Sequence, residues 1–265
     1  MKEVVLLTGA SSGIGYEMAK LLAKEEFDLV LVARRIDRLD QLKHEIIQNY
    51  PVAVHTFQVD LSIPGNAEQL YHSIKNRGLR VSGLINNAGC GAYGNFTDLP
   101  LDVQGGMVNV NITALMILSR LFLAAMKADG YGRVMNMASL LSYLPFPYYS
   151  VYSATKAFVL SSTETLAAEY DGTGIEIKAL CPGPVATDFN TAGMLHTNAY
   201  ESNKPIPASD VAIAGVKHLL YGRGSKKVGF STWFISNLPR ITPDRIVMKI
   251  KKRLASQRNG HPVLG

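Results

Sequence analysis

Short apolar runs, each followed by a longer stretch with helical spacing of apolar residues, recur along most of the chain. The runs VVLLTG, FDLVLVARR, VAVHTFQVDLS and SGLINNAG predict strands, and GRVMNMAS, GIEIKALCPG and KKVGF have the same character further along. Strands that are apolar throughout and alternate with helices indicate a parallel sheet covered on both faces. We therefore expect an α/β fold with a doubly wound parallel sheet in three layers (α/β/α).

The chain shows no internal repeat and no linker-like change in composition, so the 265 residues predict a single domain. We assign residues 1–240 to a dinucleotide-binding catalytic domain and residues 241–265 to a C-terminal tail. The segments before Asn109 and after Asp188 are less regular and are expected to form the rim of a site. Residues 188–208, approximately, have the length and polarity of a mobile substrate loop.

Composition excludes several classes of protein. Two cysteines, Cys90 and Cys181, imply no disulfide framework and fit a reducing cytoplasm, with Cys181 expected in the core. The six histidines are scattered without ligand spacing, so no metal site is expected. The longest apolar stretch, ALMILSRLFLAAM, is interrupted by Ser119 and Arg120 and falls short of a membrane span.

The net charge of +6 is concentrated in the tail, where seven basic residues and one acid lie between Arg240 and Arg258. The rest of the chain is close to neutral, which argues against a nucleic-acid partner. Apolar residues recur every four positions in this segment and predict a basic amphipathic helix; they are Ile246, Ile250 and Leu254, after the start signals Thr242 and Pro243. Such a helix fits weak contact with a membrane surface, or packing on its own domain or a neighbouring subunit.

A glycine-rich turn, TGASSGIG, directly follows the first predicted strand and opens the first helix. Glycines there permit a tight turn and close backbone approach to a phosphate, and the helix start offers free N–H groups. The turn is either a structural loop or a dinucleotide site, and its position after strand one favours the dinucleotide. The residues expected at the cofactor are Gly9, Ser11, Ser12, Gly13, Ile14 and Gly15.

The end of the second strand indicates which dinucleotide is bound. An NAD site usually carries an acid there, whereas this chain has Arg34 and Arg35, which can bind a 2′-phosphate. We expect NADP(H) to be preferred over NAD(H); alternatively, the two arginines only begin a solvated helix. Asp60 can accept a hydrogen bond from the adenine amino group, and the small residues of LINNAG (Asn87, Ala88, Gly89) let the backbone pass the adenosine ribose.

Tyr152 and Lys156 stand four residues apart in SVYSATKAFV and would share one face of a helix. The lysine ammonium would favour phenolate over phenol and so bring the tyrosine towards acid–base chemistry near neutral pH. Alone, this pair is more often an exposed helical tyrosine and lysine without a role.

Six motifs in order change that assessment: TGASSGIG, NNAG, NVNIT, NMASL, YSATK and CPGPVAT. Together they closely resemble the short-chain dehydrogenase/reductase family in its form of roughly 250 residues, from about Lys2 to Asp188 and weakly to Phe230. The resemblance implies a Rossmann-type fold and hydride transfer between a nicotinamide and a carbonyl or secondary alcohol. In the family many NADP-preferring members carry a basic residue in the glycine turn, where this chain has serines.

The resemblance also implies roles for individual residues. Tyr152 would be the general acid/base, Lys156 its activator and a ligand of the nicotinamide ribose, and Ser139 the hydroxyl that orients the carbonyl. Asn111 would anchor a water-linked proton path. The segment beneath the nicotinamide would comprise Pro182, Gly183, Val185 and Thr187.

The substrate side is expected to be formed by CGAYGNF, by the LLSYLPFPYY segment and by the 188–208 loop. The second segment predicts an apolar or aromatic carbonyl compound, or else ordinary loop packing, through Leu140, Leu141, Tyr143, Leu144, Phe146 and Tyr148. The candidates are an apolar ketone, a 3-oxoacyl compound or a steroid-like ketone. Two helical stretches, TALMILSRLFLAAM and SATKAFVLSSTETLAAEY, resemble those that pair subunits into homodimers or homotetramers in relatives.

Two alternatives from other classes stay open. One is a non-catalytic NADP(H)-binding sensor or scaffold on the same fold, although all four expected catalytic positions are intact. The other is a membrane-surface docking protein dominated by the basic tail. The expected location is cytoplasmic, with a peripheral position at a membrane as the alternative.

Overall fold

A sheet of parallel strands runs through the centre of the protein. The structure, a computed structural model, describes residues 2–144, 146–189, 192–195, 197, 198, 200, 205–229, 232, 233, 236 and 244–256. Among these residues, seven strands form the sheet in the order β3-β2-β1-β4-β5-β6-β9. They are β1 (Val4–Thr8), β2 (Asp28–Ala33), β3 (Val54–Gln58), β4 (Val81–Asn86), β5 (Gly132–Met137), β6 (Ile175–Pro182) and β9 (Ser225–Val228). Two short strands, β7 (Val185–Ala186) and β8 (Ile206–Pro207), pair separately.

Helices cover both faces of this sheet. They are α1 (Gly13–Lys24), α2 (Ile36–Asn49), α3 (Asn66–Asn76), α4 (Leu101–Val108), α5 (Leu115–Asp129), α6 (Ser150–Glu169), α7 (Ala192–Leu195), α8 (Ala208–Tyr221) and α9 (Asp244–Ala255). α1, α2 and α8 share one hydrophobic cluster, and α3, α5 and part of α6 share the cluster on the opposite face. The predicted three-layer, doubly wound α/β fold is confirmed.

The apolar runs read as strands are buried on both sides. In β1, Leu7 packs into one cluster and Leu6 into the other, and both side chains are fully buried. Successive residues of a strand point to opposite faces, so a strand between two helix layers must be apolar at every position. The expected strands all form; in the last one, Phe230 lies outside the described residues.

The strand order reverses between β1 and β4. β1 has β2 on one side and β4 on the other, so the connections after β1 and β4 leave the sheet towards opposite faces. In an open parallel sheet this reversal creates a crevice at the carboxyl ends of the strands. The predicted site residues follow the ends of β1, β2, β3, β4, β5 and β6, so they gather along this edge.

The segment before Asn109 is more regular than expected. Leu101–Val108 is helical despite two glycines, and a π-helical turn, Asn109–Ala114, joins it to α5. The continuous helix Leu101–Asp129 has 29 residues and is apolar enough to cross a membrane by length and composition, contrary to the expectation from its most apolar stretch alone. Within the fold, Leu118 and Phe122 of this helix are buried in the core.

The basic tail contains the predicted helix, α9. Its last turn is held by the rest of the domain, because the Tyr93 hydroxyl donates a hydrogen bond to the Ala255 carbonyl (2.6 Å). Ile246 is about half exposed. The start signals Thr242 and Pro243 and the side chain of Ile250 lie outside the described residues.

A buried amide network joins the middle of the sheet to the helices beside it. The Asn86 side-chain amide on β4 donates to the Ser119 hydroxyl (3.0 Å) and to the Asn136 side-chain oxygen on β5 (2.9 Å). Asn136 in turn donates to the Thr163 hydroxyl of α6 (2.9 Å). Buried amides of this kind are stabilising only while they keep their partners.

We expect Asn136→Leu, which keeps the volume but removes the amide, to lower the free energy of unfolding by about 2 kcal/mol because the Asn86 amide loses one of its two acceptors and the Thr163 hydroxyl loses its donor. Urea unfolding followed by circular dichroism measures this change. Asn76→Leu on the exposed end of α3 is the matched control and should change stability little. Equal effects of the two substitutions would contradict the role of the network.

Candidate active site

A cavity of about 750 Å³ lies along the carboxyl edge of the sheet. It brings together most of the predicted cofactor and catalytic residues: Gly9, Ser11, Ser12, Gly13, Ile14, Arg34, Arg35, Asp60, Asn87, Ala88, Gly89, Ser139, Tyr152, Lys156, Pro182, Gly183, Val185 and Thr187. Two predicted residues, Gly15 and Asn111, lie behind the wall rather than on it.

The glycine turn forms one end of the cavity. Gly9 and Gly13 have positive φ angles (70° and 56°), and a Cβ on Gly15 would come within 2.3 Å of the Gly9 carbonyl oxygen. Only glycine therefore fits at position 15, because any side chain there would collide with the turn above the start of the helix. No side chain caps the start of α1 at Ser12, so the first N–H groups of that helix are available to an anion. These features fit the pyrophosphate of a dinucleotide.

Hydrogen bonds across the crevice hold this turn in place. The Thr8 hydroxyl accepts from the backbone N–H groups of Asn87 (3.1 Å) and Ala88 (3.0 Å). The Asn87 amide donates to the carbonyls of Thr8 (3.0 Å) and Gly9 (3.1 Å). The predicted NNAG segment after β4 therefore positions the glycine turn after β1, besides lining the cavity itself.

Arginine side chains stand beside the same turn. Arg35 donates to the hydroxyls of Ser12 (2.9 Å) and Ser11 (3.3 Å), and Arg34 also lines the cavity. Asp60 is held by the Ser62 hydroxyl (2.7 Å) and N–H (2.9 Å). Burial raises the pKa of Asp60, but these hydrogen bonds and the Arg34 charge outweigh it, and the net pKa lies below its ordinary value.

Ser139 is fixed by the short 3-10 turn Leu140–Ser142. Its hydroxyl accepts from the Leu141 N–H (3.1 Å), while its own N–H donates to the Ser142 hydroxyl (3.1 Å). Ser142 then donates to the carbonyl of Lys156 (2.7 Å), which ties the turn to α6. The hydroxyl of Ser139 consequently lies next to the phenol of Tyr152, and this hydrogen-bonding interaction lowers the phenol pKa.

The electrostatics of Tyr152 and Lys156 differ from the sequence-based expectation. Burial raises the pKa of Tyr152 to about 12, despite the opposing effect of Ser139. Burial also lowers the pKa of Lys156 to about 8. The Lys156 ammonium donates to the Met137 carbonyl (2.8 Å) and lies 5.9 Å from the centre of the Tyr152 ring. In this structure, desolvation therefore outweighs the lowering that we expected Lys156 to cause.

Asn111 lies in the π-helical turn and is fully buried. Its amide donates to the Cys90 carbonyl (2.9 Å) and to the Thr155 hydroxyl (3.0 Å), and its oxygen accepts from the Cys90 N–H (3.0 Å). A Cβ on Gly89 would lie 3.1 Å from the Asn111 oxygen and 3.4 Å from the Lys156 nitrogen. Asn111 thus connects the turn after β4 to α6 close to the lysine.

The substrate end of the cavity is mainly apolar. Leu140, Leu141, Leu144 and Phe146 line it as expected, but Tyr143 and Tyr148 do not. The Tyr143 hydroxyl faces the Cys181 sulfur (3.8 Å), and its ring lies beneath the Lys227 ammonium. Tyr148 packs on Tyr93. Both rings therefore make their contacts outside the cavity. Residues of the 188–208 loop complete this wall, namely Asp188, Phe189, Met194, Thr197 and Tyr200.

Several residues of the wall were not singled out from the sequence. Tyr149, the last residue of the LLSYLPFPYY segment, lines the cavity one turn before Tyr152, and Lys251 and Leu254 enter it from α9. The periodicity of the tail predicted the helix but contained no signal for what the helix would contact. Tyr149 could have been found from its i, i+3 spacing to Tyr152.

Comparisons with known proteins agree with this geometry. Residues 3–196 match the family model described as short chain dehydrogenase. The chain belongs to the short-chain dehydrogenase/reductase family. It is therefore an oxidoreductase, and its family relationship supports binding of a nicotinamide cofactor.

Relatives within the short-chain dehydrogenase/reductase family include proteins with stated substrates. The chain is 33% identical over 260 residues to a very-long-chain 3-oxoacyl-CoA reductase of Anas platyrhynchos, covering 95% of this chain and 81% of that protein. A short-chain dehydrogenase from Sphingobium yanoikuyae in complex with NADPH is 27% identical, with a TM-score of 0.80 over 98% of this chain and all of that one. A 7beta-hydroxysteroid dehydrogenase shares the fold with a TM-score of 0.84 at 23% identity, covering 94% of this chain and 96% of that chain.

The lowered pKa of Lys156 predicts a pH dependence of stability. In the unfolded chain this lysine keeps its proton up to its ordinary pKa of 10.5, whereas the folded chain releases it from about 8. Between these values the unfolded state binds more protons, so the free energy of unfolding rises with pH. The desolvation cost of the ammonium is present in full below pH 8.

We expect the free energy of unfolding of Lys156→Met at pH 7 to exceed that of the parent by about 2 kcal/mol. The substitution removes the desolvation cost of the ammonium, and the loss of its hydrogen bond to the Met137 carbonyl offsets part of that gain. The difference should shrink as the pH rises from 8 to 10.5. Urea unfolding at pH 7, 8.5 and 9.5 measures it, with Lys75→Met on exposed α3 as the control. A stability difference that is independent of pH would sink this account of Lys156.

Proposed function

We propose that the protein is an NADP(H)-dependent reductase of carbonyl compounds, with Tyr152 as the general acid/base. One observation carries the proposal: Ser139, Tyr152 and Lys156 share one wall of a cavity whose other end is an uncapped helix start flanked by Arg34 and Arg35. The bound nicotinamide would supply or accept the hydride.

Residues of the chain itself would then bind the carbonyl oxygen and transfer the proton that it needs. Ser139 and Tyr152 stand side by side and can both donate hydrogen bonds to a carbonyl oxygen, which stabilises the charge that develops on it. Tyr152 would give up its proton to that oxygen. Because its pKa is about 12 in this structure, added positive charge near the phenol on ligand binding would favour the transfer. Lys156, with a pKa of about 8, is mainly cationic at neutral pH and contributes positive charge to this wall already before a ligand binds.

The substrate is proposed to be an apolar ketone, a 3-oxoacyl compound or a steroid-like ketone. Support comes from the leucine and phenylalanine side chains of the substrate end and from the relative described as a very-long-chain 3-oxoacyl-CoA reductase. The preference for NADP(H) over NAD(H) is supported by Arg34 and Arg35 and by the NADPH-bound relative. The cofactor set, including Gly9, Asp60 and Thr187, is proposed on the same basis.

Two further parts of the proposal concern surfaces. Exposed apolar residues on α4, α5 and α6 (Leu101, Val103, Val108, Met116 and Phe158) support a homodimer or homotetramer, which light scattering would test. The start of α9 exposes Ile246 and Met248 among basic residues, which supports weak peripheral contact with an anionic membrane. Co-sedimentation with anionic vesicles would test that contact. The domain boundary near residue 240 and the cytoplasmic location stay predictions.

We expect NADPH oxidation by at least one compound on a panel of aldehydes, ketones, 3-oxoacyl thioesters and keto-steroids, with NADH in parallel. Tyr152→Phe should reduce this activity about 10²- to 10⁴-fold because it removes the proton donor, while NADPH binding changes little. Absorbance of NADPH measures turnover and its fluorescence measures binding. Tyr170→Phe at the far end of α6 is the matched control.

The outcomes separate the two classes of function. If Tyr152→Phe kept the activity of the parent, Tyr152 would not be the proton donor. Tight NADPH binding with no turnover on the whole panel would favour the non-catalytic sensor or scaffold instead.

For the cofactor preference, we expect Arg34→Ala and Arg35→Ala to weaken NADPH binding about 10- to 100-fold, because each loses charge-assisted hydrogen bonds to the 2′-phosphate. NADH binding should stay within about threefold of the parent value, since NADH lacks that phosphate. Fluorescence titration measures both. Arg38→Ala, in the first turn of the following helix α2 and paired with Asp188 (3.4 Å), is the control. If Arg35→Ala weakens both cofactors equally, Arg35 acts by supporting Ser11 and Ser12 rather than by binding phosphate.

A further inference from the structure

We propose that Ser142 is a positioning residue of the site: its hydroxyl holds Ser139 in line with the helix that carries Tyr152 and Lys156. The inference rests on the proposed function and deepens it, because it names the group that aligns two of the proposed catalytic side chains.

The Ser142 hydroxyl joins two separate parts of the chain. It accepts a hydrogen bond from the Ser139 N–H (3.1 Å) and donates its own proton to the Lys156 carbonyl on α6 (2.7 Å). A serine hydroxyl has one proton and two lone pairs, so both bonds form at the same time. One side chain therefore links the backbone of Ser139 directly to the helix that follows.

Lys156 provides a second link to the same stretch of chain. Its ammonium donates to the Met137 carbonyl (2.8 Å), two residues before Ser139, whereas its carbonyl accepts from Ser142, three residues after Ser139. Ser139 thus lies between two bonds to a single residue of α6. The sheet holds the chain as far as Ala138, whose N–H donates to a β6 carbonyl (2.8 Å). Beyond that point, Ser142 supplies the bond from the turn to the α6 backbone.

The turn between these links fixes the Ser139 hydroxyl. Its oxygen accepts from the Leu141 N–H (3.1 Å), and Ser139 begins the 3-10 turn with an extended backbone (φ -159°, ψ 163°). Ser139 and Ser142 together form a capping box, in which each side chain binds backbone of the turn. The interaction of the Ser139 hydroxyl with the Tyr152 phenol lowers the phenol pKa against the larger effect of burial. A rotation of the turn relative to α6 would therefore change the contact between the two hydroxyls proposed to bind the carbonyl oxygen.

Ser142 does not itself face the ligand. Leu140, Leu141 and Leu144 line the cavity, but Ser142 does not, although it is only half-buried. Its hydroxyl therefore acts on the reaction through Ser139 and α6 rather than by contact with a substrate. A small misplacement of a catalytic group lowers the rate of the chemical step strongly.

The test uses a spectroscopic signal that requires no turnover. In protein whose tyrosines carry carbon-13 at Cζ, the Tyr152 resonance is the one that Tyr152→Phe removes. We expect Ser139→Ala to shift this resonance at neutral pH, and Ser142→Ala to shift it in the same direction, because both weaken the hydrogen bond to the phenol. In Ser139→Ala/Ser142→Ala the shift should equal that of Ser139→Ala alone, because a residue that acts through another adds nothing once the other is removed.

Two variants separate the hydroxyl from general packing. Ser142→Thr keeps the hydroxyl and should retain the parent resonance. Ser162→Ala is the matched control, since it removes a hydroxyl that donates to the Val159 carbonyl (3.2 Å), six residues after Lys156 on the same helix. Thermal unfolding and NADPH binding verify that each variant is folded. Ser142→Cys, whose thiol is a weak donor, replaces Ser142→Ala if the latter is not.

An unchanged Tyr152 resonance in Ser142→Ala would overturn the proposal. A shift in Ser142→Thr or in Ser162→Ala as large as that in Ser142→Ala would also overturn it, because the signal would then follow a general loosening of α6. Additive shifts in the double variant would show that Ser142 affects Tyr152 by a route other than Ser139, which contradicts the proposed role.

Turnover then distinguishes this inference from the proposed function. With a carbonyl substrate, we expect Ser142→Ala to lower kcat about tenfold and to change KM less than about twofold, because the substitution misaligns a catalytic group without touching the substrate. If the resonance depends on Ser142 but no carbonyl compound is turned over, the positioning role stands and the reductase proposal fails. If turnover requires Tyr152 but Ser142→Ala keeps the parent kcat, the reductase proposal stands and the positioning role fails.

Discussion

The site depends on the contact between the first and fourth strands, β1 and β4, where the strand order reverses. Thr8 and Asn87 exchange hydrogen bonds across this reversal, so the glycine turn and the NNAG segment form one rigid unit. A phosphate-binding turn must present its N–H groups in fixed directions, and a free glycine-rich loop would lose entropy on binding. The crossed bonds remove that freedom before a ligand arrives. The proposed catalytic residues after β5 and on α6 are then placed relative to this unit by the sheet itself.

A second constraint is the desolvation of lysines inside the cavity. Lys156 and Lys251 are both largely buried, but their surroundings differ. Lys156 is held by the Met137 carbonyl at the centre of the wall, whereas Lys251 reaches the cavity from a helix anchored at its far end. A buried ammonium costs free energy in the free protein and recovers part of it when an anion or a polar ligand binds. Stability and ligand recognition are therefore opposed at Lys156.

Sequence patterns were sufficient for the sheet, its helices and the set of residues that meet around the glycine turn, because those depend on local periodicity and on residues that follow strand ends. They were insufficient where the answer depended on three-dimensional packing. The pKa of Tyr152 was misjudged because burial cannot be read from the spacing of Tyr152 and Lys156. Tyr143 was misplaced because its contact with Cys181 is between distant segments. The helix of the tail was predictable from its repeat, but its position against Tyr93 was not.

The position of α9 has a consequence for the order in which the protein matures on the ribosome. Every cofactor-end residue described above occurs before residue 190, whereas Lys251 and Leu254 occur in the last helix. Domains generally fold as units. The dinucleotide cradle is nevertheless synthesised before the opposite wall of the cavity exists. A ligand would meet a finished pocket only after the final turn of α9 has docked on Tyr93 and Asn198.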